Sequence, residues 1–388
     1  MSESVIAIPV CPHASGSDQR KSGKVASYGG SVAVGRMIGA DFVEARRILR
    51  DPSARQAGFL AELVNRFALM RAPILYLSGA EHRRQRGATA RFFAPRVVTS
   101  SYRALMLNTS RQLVDRLQAE RRADLDQLSL ELAVTIASEI VGLTDSDRAG
   151  MARRLDALAT GMRGTGSAIG KMTGFVRGQI RALLLLYRDV KPAIRERRRA
   201  RRDDVISHLI DEGYRDMEIL SECLTYGAAG MITTREFITM AGWHLLEQPA
   251  LRQRFLDTDE TGRIAILEEI LRLEPVVGLL HRTVGDDGEA VGIDVRAVNA
   301  DEEAFGACPH QIDPDRPLGE RVGRAGMAFG DGEHRCPGAQ VALLESAIFL
   351  DHLLRVPGLR MSAEPTVGWN ALIAGYELRG MTLACDEG

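Results

Sequence analysis

Apolar residues recur at three- and four-residue spacing along most of the chain, the period of helices with one buried face. The stretches are roughly 41–50, 82–94, 100–120, 127–142, 176–190, 203–211, 217–247, 248–256, 262–274 and 337–354. Strand-like runs are shorter: Ser31 to Val34, Gly292 to Val298, and the end near Tyr376 to Leu383, with Gly or Pro at several boundaries. This pattern predicts a mainly α protein with small β-sheets beside a helical body. Segments 52–80, 157–175 and 275–282 mix apolar residues with Gly or Pro and read as loops, either ordinary connections or substrate-facing ones.

No long Gly/Ser or Pro linker divides the 388 residues, and no fixed repeat runs through them, so one large domain is allowed. A chain 45% hydrophobic and 26% charged can bury a large core, which argues against disorder. The net charge of −1 gives no general pull towards nucleic acid or anionic lipid. The local cluster from Arg195 to Arg202 is either a nucleic-acid arm or, as expected here, a solvated helix end before Asp203 and Asp204.

Five cysteines, an odd number without dense spacing, argue against a disulfide scaffold and fit a reducing cytoplasm. The stretch from Met1 to Gly30 lacks a basic segment followed by an apolar core. The most apolar short run, Leu183 to Leu186, is far below membrane-spanning length. Neither secretion nor a membrane association is expected.

The strongest chemical signal is Phe329-Gly330-Asp331-Gly332-Glu333-His334-Arg335-Cys336-Pro337-Gly338-Ala339, which sets a thiol between a glycine-rich turn and an apolar helical pattern. A thiolate at a helix N-terminus is stabilised by the dipole and by unpaired N–H groups, and ferric iron would stabilise it further. Pro337 suits a first helical turn. Gly330, Gly332 and Gly338 let the backbone approach a flat cofactor, and Phe329 can shield the sulfur. The plain alternative is a buried structural cysteine.

This segment resembles the haem-binding pattern Phe-Gly-x-Gly-x-His-x-Cys-x-Gly of the cytochrome P-450 family at every specified position. The resemblance implies a single-domain cytochrome P-450 fold, with residues 1–26 an N-terminal extension and 27–388 the haem domain. It implies haem b (iron protoporphyrin IX) as cofactor, Cys336 as the axial iron ligand and His334 bonded to a propionate. Thiolate ligation pushes electron density towards iron and favours O–O cleavage.

Three further constellations are similar to family motifs and follow in the family's order. Glu269 and Arg272 lie three apart on one helical face before Pro275, and match the family's Glu-x-x-Arg pair. Arg316, in Asp313-Pro314-Asp315-Arg316, matches the basic residue that completes that network, whose role is to brace the cysteine loop. His82 and Arg86 lie four apart and match a propionate-holding pair; Arg282 matches another propionate arginine. Ala228-Ala229-Gly230-Met231-Ile232-Thr233-Thr234 matches the helix crossing the distal haem face, where small residues make room for oxygen and an acid before Thr organises protons.

Thr233 matches that alcohol, but Ile232 stands where the acid is usual. Leu344 stands where an Arg often follows the haem motif. The segment between Arg282 and Asn299 is shorter than usual, which puts the small hairpin there in doubt. Glu236, three residues beyond Thr233, is the helix-borne candidate for the missing proton route; its plain reading is a solvated partner of Arg235.

The resemblance implies a monooxygenase that uses O2 and two electrons to oxidise, by default hydroxylate, a small organic molecule, with secondary metabolism as its setting. Desaturation, oxidative cyclisation or aryl coupling is the alternative within the family; a non-catalytic haem sensor or carrier is the alternative outside it. The implied partners are the small-molecule substrate, O2, and a ferredoxin with its NAD(P)H-dependent reductase. The expected docking surface for that ferredoxin includes Arg83, Arg84, Arg91 and Arg335. No nucleic acid and no membrane is expected as partner, and the expected location is cytoplasmic.

Overall fold

The computed structural model of the protein describes residues 19–24, 35–57, 71–161, 168–285, 287–371 and 373–386. The helices that position the site are α1 (Phe42–Arg50), α2 (Gly79–Thr89), α3 (Arg103–Glu120), α4 (Leu125–Val141), α5 (Arg148–Gly161), α6 (Ala168–Leu185), α7 (Lys191–Arg199), α8 (Val205–Asp211), α9 (Asp216–Tyr226), α10 (Thr233–Glu247), α11 (Pro249–Asp257), α12 (Glu260–Leu273) and α13 (Ala339–Leu354). A wide π turn, Gly227–Ile232, joins α9 to α10 and makes one helical run through the body.

Around α10 the run is buried on every side, from Thr234 to Leu245, and packs against α4, α12 and α13. Such all-round burial is the mark of a core helix. Local signals set several ends. Asp41 caps α1 by accepting from the Glu44 N–H at 2.8 Å, and Asp259 caps α12 through the Gly262 N–H at 2.8 Å. Helix α4 stops at Gly142, whose φ of +97° is left-handed and where a Cβ would lie 2.6 Å from the Asp204 carboxyl carbon.

Three small sheets flank this body. Strands β1 (Arg36–Ile38), β2 (Arg55–Ala57), β4 (Leu279–Val284) and β5 (Glu289–Asp294) form one in the order β1-β5-β4-β2, with β1 parallel to β5. Strands β3 (Arg122–Asp124), β9 (Thr382–Ala384) and β6 (Arg360–Ala363) form the second, and β7 (Thr366–Asn370) pairs with β8 (Gly375–Arg379) in the third. The main apolar core fills the helical body, and a smaller one seats α1 on β5 and the one-turn helices that follow it.

The mainly helical, single-domain reading holds, with corrections. The doubted hairpin is present: β4 and β5 pair from Leu279 opposite Asp294 to Val284 opposite Glu289, closed by left-handed Gly285 and Gly288. The expected strand Gly292 to Val298 divides, because the Asp294 carboxylate accepts from the Arg296 and Ala297 N–H groups and starts a one-turn helix. Segment 157–175 is not a loop where it is described: α5 and α6 occupy its two ends. Helix α5 escaped the pattern because its fully buried residues Met151, Ala152 and Leu155 sit in an Arg- and Gly-rich run. The end of 275–282 enters β4.

Arg197 corrects the solvated-helix-end reading. It is fully buried, bonds Asp145 at 2.6 Å and Asp204, and thereby locks α7 to the start of α8. Lys21 to Lys24, assigned to an extension, pack on the body: the Ser22 N–H donates to the buried Glu274 carboxylate at 3.0 Å, and Lys21 lies over the Trp243 ring. The expected strand Ser31–Val34, the domain boundary at 27, Cys11 and positions 58–70 lie outside the described residues. Among the described residues no helix is long and apolar enough to cross a membrane.

Candidate functional site

The cysteine loop is shaped by its glycines and by short-range amide bonds. The Gly330 N–H donates to Met327 O at 2.8 Å and the Cys336 N–H to Phe329 O at 2.8 Å, folding 327–336 back on itself. Gly330 and Gly332 are left-handed, and a Cβ on Gly332 would lie 2.0 Å from Leu49 O, so the loop lies flat on α1 only with glycine there. Asp331 adds the anchor, accepting from Arg50 Nε at 3.1 Å and lying 3.3 Å from Arg46 Nε. Pro337 precedes the helix rather than entering it; Gly338 is the N-cap and α13 begins at Ala339.

Burial raises the Cys336 thiol above its ordinary pKa, while the Gly338 and Ala339 amides and the Arg86 and Arg335 guanidiniums favour the thiolate. The sulfur therefore sits where a metal cation would complete its stabilisation.

Four basic groups meet on the same side. The His82 and His334 rings lie 4.3 Å apart, centroid to centroid. His334 is pushed down to about 3 by burial and then by His82, Arg282 and Arg86. Arg282 is pushed down to about 10 by burial, and burial also lowers Arg86 and His82. Buried His82 Nδ1 and His334 Nε2 have no hydrogen-bond partner among the described residues. Two desolvated guanidiniums beside buried imidazole nitrogens without partners call for anions. The two carboxylates of a haem fit it, as does the nearby sulfur its iron. His82, Glu333 and His334 have donor atoms within 4.8 Å of one another, but with Arg86 and Arg282 in reach the place suits an anion better than a free cation.

The brace is as expected from the three matched residues. Buried Glu269 accepts from Arg272 Nε at 2.8 Å and NH2 at 2.7 Å, and from Arg316 Nε at 3.0 Å. Arg272 also donates to Asn299 O and Pro309 O, and Arg316 to Phe305 O and Cys308 O, so the two guanidiniums satisfy the carbonyls of the irregular chain leading to the cysteine. Sequence reasoning missed Asn299, which donates to Arg272 O at 3.0 Å and accepts from the Met327 N–H at 2.7 Å. It belongs to no motif quoted above; a solitary buried Asn gives no signal without its partners.

On the central helix, Ala229 is exposed and an added Cβ at Gly230 would meet nothing within 4 Å, so space is kept at the wide turn. The Thr233 hydroxyl donates to Ala229 O, one turn back. Ile232 is buried in the main core. Glu236 does not turn towards Thr233. Its carboxylate accepts from Arg235 Nε at 3.0 Å, from Arg379 at 2.8 Å and from the Leu378 N–H at 2.7 Å, and is wholly buried. With both oxygens held by guanidiniums and an amide, it ties α10 to β8 and is neither a solvated partner of Arg235 nor a free proton carrier.

Residues 264–356 match the family described as Cytochrome P-450. The nocardicin C N-oxygenase of Nocardia uniformis subsp. tsuyamanensis is 30% identical over 314 residues, covering 75% of this chain and 74% of its own. The biotin biosynthesis cytochrome P-450 of Bacillus subtilis (strain 168) is 26% identical over 320 residues, covering 77% of this chain and 78% of its own. Among solved structures, a P-450 named BioI, in complex with an acyl carrier protein ligated with hexadec-9Z-enoic acid, has a TM-score of 0.73 at 23% identity, covering 92% of this chain and 94% of that one.

Proposed function

The chain belongs to the cytochrome P-450 family, and on that premise we propose that it hydroxylates a small organic molecule of secondary metabolism. As a member of the family it is an oxidoreductase that works with haem b, dioxygen, a small-molecule substrate and a redox partner. The observation that carries the reading is the meeting of a sulfur held by helix amides with four basic side chains, His82, Arg86, Arg282 and His334, each disfavoured in its charged form by burial.

Bound there, haem b would supply redox-active iron able to use dioxygen and two electrons in oxidising a substrate. Cys336 holds the iron as thiolate, favoured by the Gly338 and Ala339 amides. His82, Arg86, Arg282 and His334 would take the propionates, whose charge would offset the burial of the two guanidiniums. Phe329 shields the sulfur from water. Ala229 and Gly230 leave room for oxygen on the other side, and Thr233 holds a proton at its hydroxyl.

Because Ile232 is apolar and Glu236 is fully engaged, that hydroxyl has no carboxylate beside it on its own helix, and its proton comes from water or from the substrate. The same feature favours a second reading, in which the reaction is desaturation, oxidative cyclisation or aryl coupling. The electron donor is a ferredoxin served by an NAD(P)H-dependent reductase, docking where Arg83, Arg84, Arg91 and Arg335 are exposed. The protein works in the cytoplasm.

Incubation with NAD(P)H, ferredoxin and reductase, using ligands first selected by their spin-state shift, tests the proposal. A product one oxygen heavier than its substrate supports it. Spectral shifts without any product would overturn it in favour of a haem sensor or carrier.

A further inference from the structure

Glu222 is a buried carboxylate that the mechanism above does not use. It is 1% exposed on α9, one turn before Tyr226 and two before Gly230, so the three share a helical face. Its Oε1 accepts both from the Ile74 N–H at 3.0 Å and from Gln85 Nε2 at 2.9 Å. Ile74 belongs to segment 52–80, read as a loop that is either an ordinary connection or substrate-facing, and Gln85 precedes Arg86 of the basic cluster. The other oxygen, Oε2, is buried and has no hydrogen-bond partner among the described residues.

Anchoring Ile74 and Gln85 does not require a charge. One oxygen does it, and a glutamine would serve as well. The groups acting on the carboxyl are burial, the Ile74 amide and Gln85; no cation is among them. Nearby are Tyr226 and Cys223 on its own helix, Gln85 on α2, and Tyr214 and Arg71 from the adjoining chain, with Arg71 NH1 committed to Glu212 O at 3.1 Å. A buried ionisable oxygen without a cation is the complement of a cationic ligand. Tyr226, the next residue on the face, is acted on by Arg86, so the face leads to the oxidising centre. Thr233 lies eleven residues along the helix, about 16 Å, too far for Glu222 to hand it a proton directly.

We propose that Glu222 is a specificity-determining residue whose free oxygen takes the protonated amine of a substrate, with the carbon to be oxidised about 12 Å along the helix, beside Gly230. This rests on the oxygenase reading and names its substrate class. Burial pushes Glu222 up to about 7, against the Ile74 and Gln85 bonds, so a cationic ligand binds more tightly as pH rises through that value.

The test uses the haem-loaded full chain and three ligands sharing one alkyl chain: N,N-dimethyldodecylamine, 1-dodecanol and dodecanoate. Affinity is read by calorimetry and, independently, by the spin-state shift. At pH 8 the amine should bind about ten- to a hundredfold more tightly than the alcohol, the range of a charge-assisted hydrogen bond. That advantage should fall about tenfold at pH 6 in the unaltered protein. Glu222→Gln, which keeps an acceptor for Ile74, should abolish it and leave the alcohol's affinity unchanged. Equal affinities, failure of the amine to bind the unaltered protein, or an amine advantage that survives Glu222→Gln would each overturn the proposal. An intact amine advantage without oxidised product counts against the oxygenase reading and leaves the role of Glu222 standing.

Discussion

Removing the charge of Glu269 while keeping its volume probes the brace beneath the cysteine loop. The carboxylate takes two bonds from Arg272, one from Arg316 and one from the Asp313 N–H at 3.1 Å, and all three side chains are buried. In Glu269→Gln the amide oxygen can still take Arg316 and Asp313, but its NH2 faces the Arg272 guanidinium, donor against donor. Stripping one partner from a buried pair costs about 3–5 kcal/mol, because the other charge is left uncompensated. About 4 kcal/mol is roughly a thousandfold in the ratio of folded to unfolded protein. Urea unfolding followed by circular dichroism, with haem retention followed at the Soret band, should show that loss. The double change Glu269→Leu with Arg272→Met should not restore stability, since Arg272 also satisfies Asn299, Pro309 and Gln311 carbonyls. A loss below about 1 kcal/mol, the size for an exposed ion pair, would refute the reasoning.

Other outcomes follow from the same geometry. Cys336→Ala should abolish the red-shifted Soret band of the reduced CO complex; an unchanged band in the purified variant would remove Cys336 as the ligand. Gly332→Ala should destabilise the fold by about 1–3 kcal/mol in urea unfolding, because a Cβ would lie 2.0 Å from Leu49 O at a φ of +67°. Glu236→Gln should lower stability by about 3 kcal/mol yet leave product formed per NAD(P)H unchanged, whereas a change in coupling at full stability would restore Glu236 as a relay. Glu222 has its folded pKa raised to about 7 from an ordinary 4.5, so the stability it contributes is fully present below 4.5 and is lost as pH rises through about 7. Glu222→Gln should therefore be the more stable protein in urea at pH 8 and equal to the unaltered chain at pH 4.

What the sequence determined by itself was whatever depends on neighbours along the chain. The ten helical stretches carry their own period, and the cysteine loop carries its own glycines. The pair Glu269 and Arg272 lies on one turn of one helix, so its meeting needed only the spacing. Its third member, Arg316, was legible through a family motif and not through any local rule. The tertiary structure decided the rest. Arg197 looked like one charge in a solvated run until Asp145 and Asp204 closed around it. Glu236 was a plausible proton carrier on helical spacing alone, but β8 arrives with Arg379 and the Leu378 amide to occupy it. Glu222 gave no signal at all, because what marks it is a buried oxygen without a hydrogen-bond partner among the described residues. Helical period and loop glycines act between residues a few positions apart, so a sequence displays them. Burial and the choice of a charge's partner arise only when distant segments meet, and these three side chains differ in nothing but what folding brought against them.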